Sequence, residues 1–190
     1  MKIRTLFAST LGAAALVLAG CASSSPSGSA SSSAAPAASK APEGPSARAT
    51  LESKSGSTVT GTVTFAQLAA GGVRVHVHVE NAPPGTHGLH LHEKGDCSDP
   101  EGKSAGGHFN PGSMPHAGPM AEKRHAGDLG NIEVGADGKG DLDIKSDLLT
   151  VTAGTYSVVG RSVVFHEKAD DFMTQPTGNA GGRLACGVIQ

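Results

Sequence analysis

From position 48 onward, apolar and polar positions alternate with period two, the spacing of a strand with one buried face. The clearest case is VRVHVHVE, where Val73, Val75, Val77 and Val79 fall on one face and Arg74, His76, His78 and Glu80 on the other. RATLESK (48–54) and STVTGTVTF (57–65) alternate in the same way. NAPPGTHG (81–88) reads as a turn and LHLHE (89–93) as another strand. NIEVGADGKGDLDIKS (131–146) reads as two short strands about an ADGKG turn, and TYSVVGRSVVFHE (155–167) and RLACGVI (183–189) supply the last ones. No stretch has the periodicity of an amphipathic helix. Many short strands in a chain of this size predict an all-β sandwich or barrel. Two long segments without a strand pattern, about 94–129 and 167–183, interrupt it, and long irregular segments in compact domains usually carry function.

The first 47 residues are different. MKIRTLFASTLGAAALVLAGC has Lys2 and Arg4, then an apolar run from Leu6 to Leu18, then LAGC. This predicts a secretory signal, too short for a spanning helix. LAGC is similar to a bacterial lipobox, which predicts cleavage before Cys21 and acylation of its sulfur. The competing reading is a plain cleavable signal. Ala22 rather than aspartate follows the cysteine, and by resemblance to bacterial sorting this favours an outer membrane, if the cell has one. Residues 22–47 are almost wholly Ser, Ala, Pro and Gly and predict a flexible tether, because they offer little apolar surface to offset the entropy of ordering. The expected organisation is therefore a lipoprotein signal peptide (1–20), a lipidated Cys21 and tether (21–47), and one folded domain (48–190). The expected location is the bacterial cell envelope, periplasm-facing, with membrane contact through the lipid anchor only.

Charge narrows the partners. The 15 basic residues fall to 13 when Lys2 and Arg4 leave with the signal peptide, against 17 acidic ones, a formal charge of −4. With no basic stripe, this excludes a nucleic-acid binder. With Cys21 set aside for lipidation, Cys97 and Cys186 remain, an even pair in an exported domain. A disulfide is the expectation, against two buried thiols.

Nine histidines stand against one tyrosine and no tryptophan. In HGLHLHEKGDCS, His87, His90 and His92 fall within six residues, with Cys97 just after. On a strand, His90 and His92 share a face with Cα atoms about 6.5–7 Å apart, a rigid platform for one metal ion. His76 and His78 have the same spacing, so spacing alone is a weak signal. Opposite a valine face, they read as a solvated outer surface. His108 follows in GGHFNPG, His116 in MPHAGP, His125 and Asp128 in RHAGDLGN, and His166 in VVFHEKADD. Neutral imidazole with carboxylate suits zinc, and imidazole alone suits copper. Seven donors exceed one four-coordinate ion and fit two, particularly if one histidine bridges through both ring nitrogens.

HGLHLHE, GGHFNP, RHAGDLGN, SVVFHEKADD and GNAGGRLACGVI, in this order over about residues 50–190, resemble the copper/zinc superoxide dismutases. The resemblance implies an eight-stranded Greek-key β-sandwich or barrel, immunoglobulin-like, with two long functional loops. It implies one copper and one zinc per subunit, and disproportionation of superoxide to dioxygen and hydrogen peroxide. It implies copper at His90, His92, His108 and His166, and zinc at His108, His116, His125 and Asp128, with His108 as the bridge and proton carrier. Asp170 would link a copper-side to a zinc-side histidine, and His87 would lie near copper without ligating it. Arg183 would guide and hold the anion, with Thr177 and Gly181 shaping the channel in the same loop. Cys97 and Cys186 would form the intrasubunit disulfide.

One departure concerns steering. The substrate and the mature chain are both negative, so attraction must be local. The second loop has no charged residue between Asp171 and Arg183. Lys94, Lys103, Lys123 and Lys168 are the candidates, unranked. The alternative function is an envelope copper/zinc carrier on the same scaffold, which the intact copper-side histidines and Arg183 argue against. Whether the chain is a monomer or a homodimer stays open.

Overall fold

The structure, a computed structural model, describes residues 44–190. The signal peptide, Cys21 and most of the tether lie outside the described residues. Eight strands follow in order: β1 (Ser46–Ser53), β2 (Thr60–Gln67), β3 (Val73–Glu80), β4 (Gly85–His92), β5 (Asp128–Val134), β6 (Gly140–Ser146), β7 (Ser162–His166) and β8 (Arg183–Val188). Among the described residues the only helical element is a 3₁₀ turn, Lys103–Ala105. No helix there is long and apolar enough to cross a membrane.

The strands pair antiparallel in the order β5-β4-β7-β8-β1-β2-β3-β6. The far end of β1 joins the two four-stranded halves, with Glu52 opposite Cys186 and Ser53 opposite Ala185. The two terminal strands, β5 and β6, are consecutive. Their turn is closed by the Gly135 N–H, which donates to the Lys139 carbonyl at 2.8 Å. The result is a nearly closed barrel. The chain crosses between halves from β3 to β4 and again from β6 to β7, which makes it a Greek key.

The alternation on β3 is borne out: all four valines are fully buried, while Arg74 and His76 are exposed. They pack with Leu51, Val63, Phe65, Leu89, Ile132 and Phe165 in one core. Each such side chain contributes about 1.5–3 kcal/mol by leaving water.

Boundaries differ from expectation in five places. β4 begins at Gly85, inside the segment 81–88 expected to be a turn, because the chain already pairs with β5 there, Gly85 opposite Val134. β2 is shifted to Thr60–Gln67 from the expected 57–65. β1 begins at Ser46, two residues before position 48, and the buried Ala47 pairs with Phe65. The small, polar composition there hides an inward-facing alanine. β5 begins at Asp128, inside the segment expected to be loop. The stretch 155–167 is a strand only over Ser162–His166. Before it Thr150 and Ser157 make an isolated bridge, and Gly160 turns the chain at φ 78°.

Candidate metal centre

On β4, alternate side chains point to opposite faces, and both faces are buried. Leu89 and Leu91 enter the core, and His87 stacks on Phe165 with ring centroids 4.7 Å apart. His90 and His92 point the other way, yet are 0% and 1% exposed, because the two long loops cover that face. The first loop crosses directly above: His108 forms an isolated bridge with His92, and the Glu93 N–H donates to the Gly107 carbonyl at 2.9 Å.

Two β-bulges aim the remaining groups. Leu89 faces Gly130 but His90 faces Asp128, so Leu129 is an extra residue. Phe165 faces Ala185 but His166 faces Arg183, so Leu184 is another. Each bulge re-aims its strand at the point where a polar side chain is needed. Asp128 comes opposite His90, and Arg183 opposite His166.

The seven expected donors fall into two buried groups. His90, His92, His108 and His166 form one, and His108, His116, His125 and Asp128 the other. Within each group the donor atoms all lie within 4.8 Å of one another. His108 belongs to both. For His90, His92 and His116 the hydrogen bonds fix which ring nitrogen keeps its lone pair. His90 Nε2 donates to Asp170 Oδ2 at 2.7 Å, leaving Nδ1 buried with no partner. His92 Nδ1 donates to the Gly106 carbonyl at 2.9 Å, which turns its Nε2 lone pair toward His166 Nε2, 3.4 Å away. His116 Nε2 donates to Asp170 Oδ1 at 2.9 Å, so its Nδ1 lone pair faces the Asp128 carboxylate at 3.0 Å. His108 Nδ1 and His125 Nδ1 lie 3.1 and 3.2 Å from the same oxygen and 3.4 Å from each other. His108 Nε2 is the other partnerless buried atom.

Lone pairs converging on lone pairs and on a carboxylate repel unless a cation lies among them. Donors about 2.0 Å from a tetrahedral zinc ion stand about 3.3 Å apart, close to the separations around Asp128. The residues fit two ions with one imidazole between them.

The titration behaviour agrees. Burial, with the neighbouring rings His108 and His166 respectively, pushes His90 and His92 well below the ordinary histidine value. Burial and His90 do the same to His166, and burial lowers His108. These are neutral imidazoles, the form that binds metal. Burial opposes ionisation of Asp128. The nitrogens of His108 and His125 and the Ala117 N–H outweigh it and hold the carboxyl far below the usual range.

Asp170 ties the two groups together through its two oxygens. Two residues that the sequence reading missed hold the assembly. Asn131 donates to the Asp170 carbonyl (2.9 Å) and accepts from its N–H (2.8 Å). Gln175 grips the backbone of His116 from both sides, accepting from its N–H (2.8 Å) and donating to its carbonyl (2.7 Å). Neither has a sequence signal, because its partner is 39 or 59 residues away. His87 lies on the core side, with its Nδ1 2.9 Å from the His166 carbonyl. It supports a donor strand and does not join either group.

Arg183 is half-buried. Its guanidinium donates to the carbonyls of Gly102 and Gly106, both at 2.7 Å. Burial lowers the pKa of the guanidinium, with Asp99 acting against the shift. Cys97 and Cys186 form the expected disulfide, closing 89 residues of chain and fastening the first loop to β8. Of the four candidate lysines, Lys103 is paired with Glu101. Lys54, not anticipated, packs beside Arg183 around Gly102. Thr177 and Gly181 are exposed on the second loop, and the Gly181 carbonyl lies 3.5 Å from His166 Nδ1.

An eight-stranded barrel whose loops bury two donor groups sharing a histidine defines a dinuclear metalloprotein. The model of one family, copper/zinc superoxide dismutase, matches residues 59–189. The superoxide dismutase [Cu-Zn] of Deinococcus radiodurans is 46% identical over 157 residues, 77% of this chain and 85% of that one. A crystal structure of the clock protein EA4 superposes with a TM-score of 0.69 at 42% identity, covering 76% of this chain and 92% of the other. The chain belongs to the copper/zinc superoxide dismutase family, and copper and zinc are its metals.

Proposed function

We propose that His90, His92, His108 and His166 hold copper, that His108, His116, His125 and Asp128 hold zinc, and that Arg183 binds superoxide beside the copper group. The observation that carries this reading is His108, which belongs to both donor groups, with its Nδ1 3.1 Å from Asp128 Oδ1 and its Nε2 buried without a partner. The overall reaction is 2 O2•− + 2 H+ → O2 + H2O2. When bound, copper would supply one-electron redox chemistry and redox-inert zinc would supply fixed charge. The chain does the rest. Arg183 uses two N–H groups on backbone carbonyls and has further donors and a permanent charge for a small anion. His108 Nε2 is the atom where a proton is held and delivered, while Nδ1 stays turned to Asp128. Asp170 keeps the rings of His90 and His116 in one tautomer and orientation. The loops exclude bulk water.

The finer setting belongs to the same proposal. The Leu6–Leu18 run and LAGC support export and acylation at Cys21. The Ser/Ala/Pro-rich stretch supports a tether that holds the domain off a bacterial membrane on the periplasmic side. The chain acts there as a monomer or a homodimer.

The test is superoxide decay by pulse radiolysis, using the chain from Cys21 onward loaded with copper and zinc, at two salt concentrations. Fast decay that slows with salt supports the dismutase and local steering. Decay no faster than free-metal controls, in a protein holding both ions, overturns it in favour of a metal carrier.

A further inference from the structure

All nine histidines lie within the described residues, and seven of them are buried around the barrel's metal-binding end. The two that reach solvent, His76 and His78, stand on the outer face of β3, in the half of the barrel that does not carry the metal centre. Spacing alone makes them a weak pair, but the register of β6 supplies what spacing lacks. His76 is directly opposite Asp143, and His78 directly opposite Asp141. Side chains opposite each other on one sheet face have Cβ atoms about 4.5–5.5 Å apart. Two imidazoles and two carboxylates therefore form a square on one exposed surface.

The contacts are already made in pairs. His78 Nδ1 lies 2.8 Å from Asp141 Oδ1, and His76 Nδ1 lies 3.8 Å from Asp143 Oδ2. Arg74 occupies the other oxygen of Asp143 at 2.8 Å, so Oδ2 stays available. Glu80 Oε1 is a further carboxylate 3.5 Å from His78 Nε2. On the other side of β3 the facing residues are Thr64 and Thr62, too short to cover the rings. As placed, the four donors do not all lie within 4.8 Å of one another, so holding one ion requires the rings of exposed His76 and half-exposed His78 to change rotamer, a motion of nanoseconds or faster at the surface.

We propose that His76, His78, Asp141 and Asp143 form a second, exposed site for a divalent transition-metal ion. Imidazole with carboxylate selects Zn(II) or Cu(II) over Mg(II) or Ca(II). Arg74 at the site's edge and Lys139 on Glu80 (3.4 Å) offset part of the negative charge, which weakens cation binding relative to an unpaired carboxylate cluster. Such a site captures metal reversibly on the protein's own surface and leaves the buried centre undisturbed.

The experiment uses protein already holding its copper and zinc. Titration calorimetry with Zn(II) at pH 7.5 shows one further equivalent. The double variant His76→Gln/His78→Gln weakens that event about tenfold or more, and Asp141→Asn weakens it by a smaller factor, with superoxide decay unchanged in both. In the unaltered protein, which needs no variant to fold, sub-stoichiometric Cu(II) broadens the ring NMR signals of His76 and His78 before any other surface resonance. No further equivalent, an unchanged Kd in the double variant, or broadening centred elsewhere overturns the proposal.

Discussion

His92 and Arg183 are joined through one atom: the carbonyl oxygen of Gly106 accepts from His92 Nδ1 at 2.9 Å and from the Arg183 guanidinium at 2.7 Å. A donor ring and the charge beside it are thus positioned by the same peptide unit of the first loop. Replacing Arg183 tests both functions. Arg183→Lys keeps a positive charge but not the two-carbonyl grip, and the second-order rate constant for superoxide falls about tenfold. Arg183→Gln removes the charge, falls further, and flattens the dependence on salt. Pulse radiolysis at low and moderate ionic strength reads both effects. A full rate in Arg183→Gln would show that the residue is only a structural clamp.

Gly178 closes the second loop over the link between the two donor groups. Its φ is 65°, and a Cβ built there overlaps Asp170 Oδ1 and lies 2.6 Å from His116 Nε2. Gly178→Ala therefore meets about 1–2 kcal/mol of left-handed strain before any clash is relieved. Relief requires Asp170 to leave His90 or His116. Zinc affinity, measured by chelator competition, falls about 10–100-fold, as when a ligand's supporting hydrogen bond is lost. Unchanged affinity would mean that the Asp170 link does not control the zinc-side histidine.

How much of this was legible in the sequence depends on the range of the interaction. The β3 valines announce their face because strand alternation is local. The seven donors stand out because their motifs are long and specific, and all seven meet in space. What stayed hidden is set by pairing between distant strands. Leu129 falls at the end of the expected loop and Leu184 looks like an ordinary strand leucine, and only the register shows that they are extra residues that turn Asp128 and Arg183 into the site. Asn131 and Gln175 act on backbone far away in sequence. Gly178 sits in a glycine-rich loop where nothing separates a tight contact from a flexible turn. The carboxylates beside His76 and His78 lie more than sixty residues along the chain.

The disulfide between Cys97 and Cys186 spans 89 residues, and on the chain-entropy model a loop of that size stabilises by roughly 4–5 kcal/mol. Reduction of the metal-free protein should lower the urea midpoint by a corresponding amount, with fully reduced and oxidised samples compared at one pH. It should also loosen the Gly102 and Gly106 carbonyls that grip Arg183, because Cys97 fastens their loop to β8. Coincident unfolding curves would show that the bridge is not a stability element.

Acid sensitivity of the metal-free protein follows from the buried imidazoles. His90, His92 and His166 titrate well below 6.5 in the folded chain, and near 6.5 once unfolded. Between those values the unfolded chain binds more protons, so stability rises with pH and is lost as pH falls below about 6.5. Each fully depressed histidine contributes a slope of roughly 1 kcal/mol per pH unit in that window. Asp128, held low, adds a loss only below the ordinary carboxylate value of 3.8. The urea midpoint of the metal-free protein is therefore flat from pH 8 to 7 and falls steeply from pH 6.5 to 5. With both metals bound, the ligands must be displaced before they protonate, and the fall moves to lower pH. A metal-free midpoint that is the same at pH 5.5 and 7.5 would mean that these rings accept protons in place, through water reaching the site or loops that open. The buried, neutral donor set would then exist only in the metal-bound protein.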